Sequence, residues 1–321
     1  MLFRSHSLYE VAQEFNRNGG LSLFIDEVHK YPGWSRELKM IYDSMPDMHV
    51  RFTGSSILDI TKGESDLSRR APLYHMQGLS FREYLAIRHG IDLPPLSLED
   101  ILANTVEIPG VVHPLPLFKD YLNSGYYPFG SDADFDIKLE QVIRQTLQVD
   151  IPQYADITVA TSRKLAKLLS LVSMLSPFKP NVSKLAGQIG ASRNNLRSYF
   201  DFMEKAGLVA QLHDGTGGLG SLGKVKKLYL DNTNIMRVLG GNQMNAGSAR
   251  ETFFFNQMRV NHDVTSSQIS DFEIGDITFE IGGKGKGSSQ LKEAQRGYVV
   301  ADDIEFGHGN TVPLWAFGLN Y

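Results

Sequence analysis

Two periods of apolar residues run along this chain. Leu8, Val11, Ala12 and Phe15 recur at helical spacing, and Asn18, Gly19 and Gly20 end that helix. Leu21 to Ile25 is an apolar run without alternation, the pattern of a strand buried on both faces. It stops abruptly at two carboxylates, Asp26 and Glu27. Ser35 to Ser44 reads as an amphipathic helix, His49 to Thr53 as a second strand and Tyr74 to Leu79 as a third. Phe81 to His89 reads as a helix, and the Pro-rich stretch from Leu93 to Leu96 marks a boundary. Short helices are expected from Leu98 to about Tyr154.

The second half changes character. A helix from Arg163 to Leu175 carries Leu165, Leu168, Leu169 and Val172 on one face. Asn181 can cap a helix from Ser183 to Ile189, which Gly190 closes, and Ser192 can cap a third with Leu196, Tyr199, Phe200 and Met203 as its stripe. Two strand-like runs, Leu208 to Leu212 and Lys226 to Leu230, flank a Gly-rich segment. Helix, short turn, helix and hairpin is the order of a winged helix-turn-helix. Beyond it come a helix from Ala249 to Val260, a hairpin turning at Gly275 and Asp276, a helix around Gln290 to Arg296 and a strand from Gly297 to Ala301. An apolar tail from Val312 to Leu319 is expected to pack on that sheet.

Composition narrows the classes. The 321 residues suffice for two or three domains, and 42% hydrophobic with 21% charged residues is ordinary for a globular protein. There is no cysteine, which excludes disulfides and thiolate zinc sites. The formal charge of -4 gives no global footprint for nucleic acid. Ser162 to Leu230 differs: eleven Lys/Arg stand against three Asp/Glu, a local excess of +8. No apolar run has the length of a membrane span, and the N-terminus lacks the apolar core of a signal peptide, so a cytoplasmic setting is expected.

Candidate chemistry begins at Asp26 and Glu27, because ligands of open α/β sheets sit at the carboxyl ends of strands. An ordinary strand followed by a solvated turn would read the same way. The stretches LFIDEVHKYPGWSRELKMIYD, FTGSSILDI and DLSRRAPLYHMQGLSFREYL together resemble the second half of an AAA-type ATPase. They are closest to a bacterial and archaeal group whose ATPase core is followed by a winged helix and a restriction-endonuclease-like domain. Leu117 to Pro128 is similar to that group's connector, and Asp231 to Met236 to the end of its winged helix. The resemblance implies ATP and magnesium as cofactors. It implies that Asp26 holds Mg through water, that Glu27 polarises the attacking water, that Ser55 contacts the γ-phosphate, and that Arg69 or Arg70 stabilises its charge. The expected architecture is α/β: an incomplete P-loop NTPase parallel sheet in 1–92, a helical connector in 93–160, a winged helix in 161–240 and a small restriction-endonuclease-like domain in 241–321.

The phosphate loop itself is the missing piece. Gly218 to Lys224 satisfies G-x-x-x-x-G-K, but Val225 stands where Ser or Thr is required, and both flanks read as strands rather than strand and helix. Gly282 to Ser289 is Gly-rich without the lysine in place. ATP binding and hydrolysis by this chain alone are therefore doubtful, and an in-frame phosphate loop upstream of Met1 is the expectation that would restore them. The alternative is a DNA-binding or scaffolding protein with a vestigial nucleotide site. Arg193, Asn194, Asn195 and Arg197 open the candidate recognition helix, with Lys224 and Lys226 on the wing. Such helices equally serve as protein contacts, so DNA, a protein partner or a homo-oligomer all remain as partners, and a membrane does not. In the last module the resemblance implies a magnesium nuclease set, with Asp276 or Asp271, Glu280 and Lys284 as candidates and Glu251 as a fourth. The Glu280–Lys284 spacing is longer than that motif's; a bulge at Gly282 and Gly283 would re-aim the lysine, and a structural remnant is the other reading.

Overall fold

The first helix has its opening turn closed on itself. In α1 (Leu8–Arg17) the Ser7 hydroxyl accepts from the Glu10 amide and the Glu10 carboxylate accepts from the Ser7 amide, so two of the orphan donors at the helix start are satisfied. The computed structural model describes residues 7–54, 67, 69–215, 225–241 and 245–321. The chain divides into two compact units, Met1–Met76 with Gln148–Val159, and Gln77–Leu147 with Ala160–Tyr321.

In the first unit β1 (Ser22–Ile25) runs parallel to β2 (His49–Phe52), with Ser22 opposite His49 and Ile25 opposite Phe52. The crossover between them is α2 (Trp34–Ser44), as parallel pairing requires. Leu8 and Ala12 of α1 and Trp34, Leu38 and Ile41 of α2 pack on one face of the sheet, with Ile25, Val28, Met45, Met48 and Leu67. Glu37 ties the helices' ends together, accepting from the Tyr9 amide at 2.8 Å and the Tyr31 hydroxyl at 2.9 Å. On the opposite face the side chains of the described strands are open. Ser22, Phe24, His49 and Arg51 are exposed, Phe24 by 70%, and the Arg51 guanidinium lies 5.4 Å from the Phe24 ring centre. A buried reading of the whole run Leu21–Ile25 thus fails on one face: only Ile25 in β1 is fully buried.

Tyr74 to Leu79 forms no strand. The backbone groups of Leu79 go elsewhere: its N–H donates to the Tyr126 carbonyl at 2.8 Å, and its carbonyl accepts from the Tyr121 hydroxyl at 2.7 Å. Met76 is 97% exposed, so no buried alternation exists for a ladder to follow.

The second unit opens with α3 (Phe81–His89), again closed by a capping box, here Ser80 with Glu83, and ended by Gly90 at φ 67°. Short helices α4 (Leu98–Leu102), α5 (Pro114–Asp120) and α6 (Phe135–Gln145) follow. Then come α7 (Val159–Leu175), α8 (Val182–Ile189) and α9 (Arg193–Lys205), with Gly190 to Ser192 joining the last two. The strands β3 (Val209–His213) and β4 (Val225–Leu230) pair antiparallel. Next are α10 (Thr233–Gly240), α11 (Ala246–Met258) and a five-stranded sheet in the order β5 (Val264–Ser266), β6 (Phe272–Ile274), β7 (Ile277–Gly282), β8 (Arg296–Ala301) and β9 (Thr311–Pro313). The first two pairings are antiparallel and the last two parallel.

The largest apolar cluster described in this unit centres on α11. Phe253, Phe254 and Met258 of α11 meet Phe272 and Phe279 of the sheet, Phe317 of the C-terminal turn, Phe81 and Leu85 of α3, Phe118 of α5, and Leu212 and Tyr229 of the hairpin. The parallel β7–β8 connection is where sequence and structure part. The helix expected around Gln290 to Arg296 is one 3-10 turn, Ser289–Glu293, and Arg296 already begins β8. The start of β8 packs closely on that turn: a Cβ on Gly297 would lie 2.9 Å from Leu291 Cβ, so the strand passes there as glycine. The apolar tail enters the sheet itself through β9 before turning over the core at Leu314–Leu319.

Candidate functional site

Parallel register sets the first site. Because Ile25 pairs with Phe52, the next residue of each strand, Asp26 and Thr53, emerges at the same end of the sheet. The Thr53 hydroxyl donates to Asp26 Oδ1 at 2.5 Å. The backbone there is crossed over as well: the Thr53 N–H donates to the Ile25 carbonyl and the Val28 N–H to the Thr53 carbonyl, each at 2.9 Å. Asp26 is exposed, with its carboxylate held by a neutral donor. Glu27 sits at φ 53°, ψ 40°, a left-handed conformation unusual for a residue with a side chain, and pairs with Lys30 at 3.1 Å. A groove of about 260 Å³ beside β2 is lined by Leu38, Tyr42, Val50, Phe52 and Arg70 among others; neither Asp26 nor Glu27 lines it.

The other expected members of this site are placed differently. Ser55 lies outside the described residues. Arg69 is exposed in a turn. Arg70 grips Asp43 of α2 with both ends of its guanidinium, at 2.9 and 3.2 Å, and this hydrogen bonding holds the Asp43 carboxyl below its usual pKa. Thr53 was passed over in favour of Ser55. The signal for it is the register: the first residue past the second strand stands beside the first residue past its parallel neighbour.

The second cluster belongs to the C-terminal unit. Lys227 of β4 reaches Glu251 Oε2 at 2.9 Å and Asp271 Oδ1 at 3.3 Å. Tyr229, two residues along on the same face of the strand, donates to Glu251 Oε2 at 2.8 Å. Asp271 Oδ2 accepts from the Ile281 amide at 2.9 Å, which fixes that carboxylate against β7. Glu280, 2% exposed, pairs with Lys286 and accepts from the Ser270 hydroxyl. Burial opposes the charge on Lys227, but Glu251 and Asp271 outweigh it and hold the ammonium above the ordinary lysine pKa. The hydrogen bond to Glu280 raises Lys286 in the same sense, and burial together with Glu251 keeps the Tyr229 hydroxyl protonated.

Two of the sequence candidates fall outside this cluster. Asp276 occupies the β6–β7 turn, at the opposite end of β7 from Glu280 (four residues, roughly 13 Å along a strand), and faces Arg296 at 3.8 Å. Lys284 is exposed, and the lysine that meets Glu280 is Lys286, brought back by the turn in which the Lys286 N–H donates to the Gly283 carbonyl. Among the described residues, no group of three or more His, Cys, Asp or Glu is placed to hold a metal ion.

A third group is the start of α9. The Ser192 hydroxyl caps it by accepting from the Asn195 amide at 3.1 Å, and Arg193, Asn194, Asn195 and Arg197 are all exposed. Asp201 and Glu204 accept from the Gln211 side chain on β3 at 3.2 and 2.7 Å. Lys226 pairs with Asp214 at 3.4 Å; Lys224 lies outside the described residues.

Parallel strands crossed over by a helix, with an acid and a hydroxyl at their carboxyl ends, fit the AAA class, and residues 2–85 match a family model described as an AAA domain. The N-terminal part of the chain is thereby similar to an AAA domain. Residues 115–245 match a second model, described as a domain of unknown function (DUF8612). The uncharacterized protein MJ1637 of Methanocaldococcus jannaschii is 28% identical to this chain over 204 residues. That match takes in 60% of this chain and 42% of the relative, so the chain spans less than half the length of that protein. No solved structure matches the chain. No helix among the described residues is long and apolar enough to cross a membrane.

Proposed function

We propose that residues 21–54 form the acid half of an AAA-type nucleotide site, and that these 321 residues alone bind ATP weakly or not at all. The observation that carries the reading is the Thr53–Asp26 hydrogen bond at the ends of adjacent parallel strands. A hydroxyl donating to one carboxylate oxygen fixes the orientation of the other. Asp26 would hold magnesium through water, and the ion would neutralise phosphate charge. Thr53 is then a positioning residue. Glu27, its backbone held in the left-handed region, is the carboxylate for the attacking water, with Lys30 as its counter-charge in the resting chain. Phosphate affinity in this class comes mainly from a loop of backbone N–H groups and a lysine, and no G-x-x-x-x-G-K-[ST] occurs in the sequence. Titrating ATP·Mg into the chain in a calorimeter is expected to give no saturable heat at micromolar concentrations. Micromolar affinity would overturn the weak-binding reading. Loss of that affinity in Asp26→Asn would then show that the acid half already suffices.

A second reading has its own observation. The exposed Arg193, Asn194, Asn195 and Arg197, on the first turns of a capped helix that follows a short turn, support a winged helix that contacts DNA through α9. Duplex binding measured by fluorescence anisotropy is expected to weaken steeply with salt. Replacing Arg193, Arg197, Lys224 and Lys226 with Ala is expected to flatten that slope. An unchanged affinity in the variant would leave the helix as a protein contact.

A further inference from the structure

The likeness of the last module to metal nucleases implies a divalent ion among Glu251, Asp271 and Glu280, and the residues present do not fit one. An ammonium already stands between two of the three acids. Lys227 Nζ lies 2.9 Å from Glu251 and 3.3 Å from Asp271, and Lys286 meets Glu280. Magnesium and calcium require several oxygens at about 2.0–2.6 Å. A tethered positive charge in the same space repels such an ion and engages the oxygens it would need. The lysine is not a loose surface group: its side chain is 32% exposed, and those of Glu251 and Asp271 are 20% and 19% exposed.

We propose that Lys227 is the resident cation of this cluster: an ammonium carried on β4 takes the place of a divalent ion, joins the hairpin to α11 and to the segment before β6, and keeps divalent metals out. The elements it joins are otherwise separate in sequence, since Glu251 lies 24 and Asp271 44 positions from Lys227. Without the ammonium, Glu251 and Asp271, both reached by the one Nζ, would lose their shared counter-charge. Carboxylates left without one either take up a proton or recruit a cation.

The test follows melting of the full chain with and without millimolar manganese, which reports on binding independently of any cleavage. The wild type is expected to show no manganese-dependent shift. Lys227→Ala is expected to melt several degrees lower and to regain part of the loss with manganese, a gain that Glu251→Gln in the same chain abolishes. A saturable manganese shift in the wild type that Glu251→Gln removes would overturn the proposal. So would a Lys227→Ala protein insensitive to manganese. If Lys227→Ala does not fold, the charge-balanced pair Lys227→Met with Glu251→Gln is measured against Glu251→Gln and Lys227→Met alone. The pair is expected to melt above both single variants, and a pair no better than the worse single variant would refute the ion-pair role.

Discussion

Glu27 is the residue at which backbone strain and the proposed chemistry coincide. A non-glycine residue in the left-handed region costs about 1–2 kcal/mol, and such strain is retained where a side chain must be aimed. Glu27→Gly is therefore expected to raise the stability of the first unit by about 1 kcal/mol, read as a higher urea midpoint, even though it removes the pair with Lys30. A lower midpoint would mean that the Glu27 side chain does more for the fold than its backbone costs. At this scale the sequence revealed residue types better than partners. Asp26 was legible because it is the first charge after an apolar run. Thr53 was not, since its contact depends on which residue of β2 faces Ile25, and a one-residue slip would have brought Gly54 there instead. Lys227 and Lys286 were missed for a related reason. The motif directs attention to a lysine near Glu280 along one strand, whereas one partner comes back through a turn and the other cation arrives from another element.

Elements with chemical stop signals were readable. Asn181, Ser192 and Gly190 cap helices where their residue types predict, because a cap is a contact between neighbours in sequence. Of the two failures, Tyr74–Leu79 and the turn at Ser289–Glu293, the first is a segment shaped by contacts from far along the chain. Gly78 shows this directly: a Cβ there would lie 2.3 Å from the Tyr126 ring, and its carbonyl accepts from the Tyr321 hydroxyl at 3.0 Å. Gly78→Ala is expected to cost about 1–3 kcal/mol, the usual range for overpacking, measurable as a lower denaturant midpoint of the second unit. An unchanged midpoint would show that the Tyr126 ring moves aside freely. The same substitution at Gly285, where an added Cβ meets nothing within 4 Å, serves as the control.

Among the described residues the two units' main cores differ in quality. Among the described residues, the first rests on ten buried apolar side chains around a two-stranded sheet; the second gathers the five-stranded sheet, the hairpin and several helices around the phenylalanines of α11. Two-stranded sheets are marginal by themselves. The first unit is thus expected to open at a lower free energy than the second. Amide exchange is expected to run faster in Ile25 and Phe52 than in Phe279 and Val299, and equal protection would point to a single cooperative body. Sequence reading located the elements of both cores. It had less purchase on their membership, because helical periodicity says that one face of Phe81–His89 is buried without saying which core receives it. In the structure Phe81, Tyr84 and Leu85 enter the second.

The uncovered face of β1 and β2 has a consequence for handling the protein. In colloidal terms each copy bears an adhesive spot, an aromatic ring with a guanidinium laid against it. A formal charge of -4 spread over 321 residues provides weak long-range repulsion between copies, and added salt screens most of it. Association at high concentration is then expected to rise with ionic strength, and light scattering of Phe24→Ser is expected to show less of it.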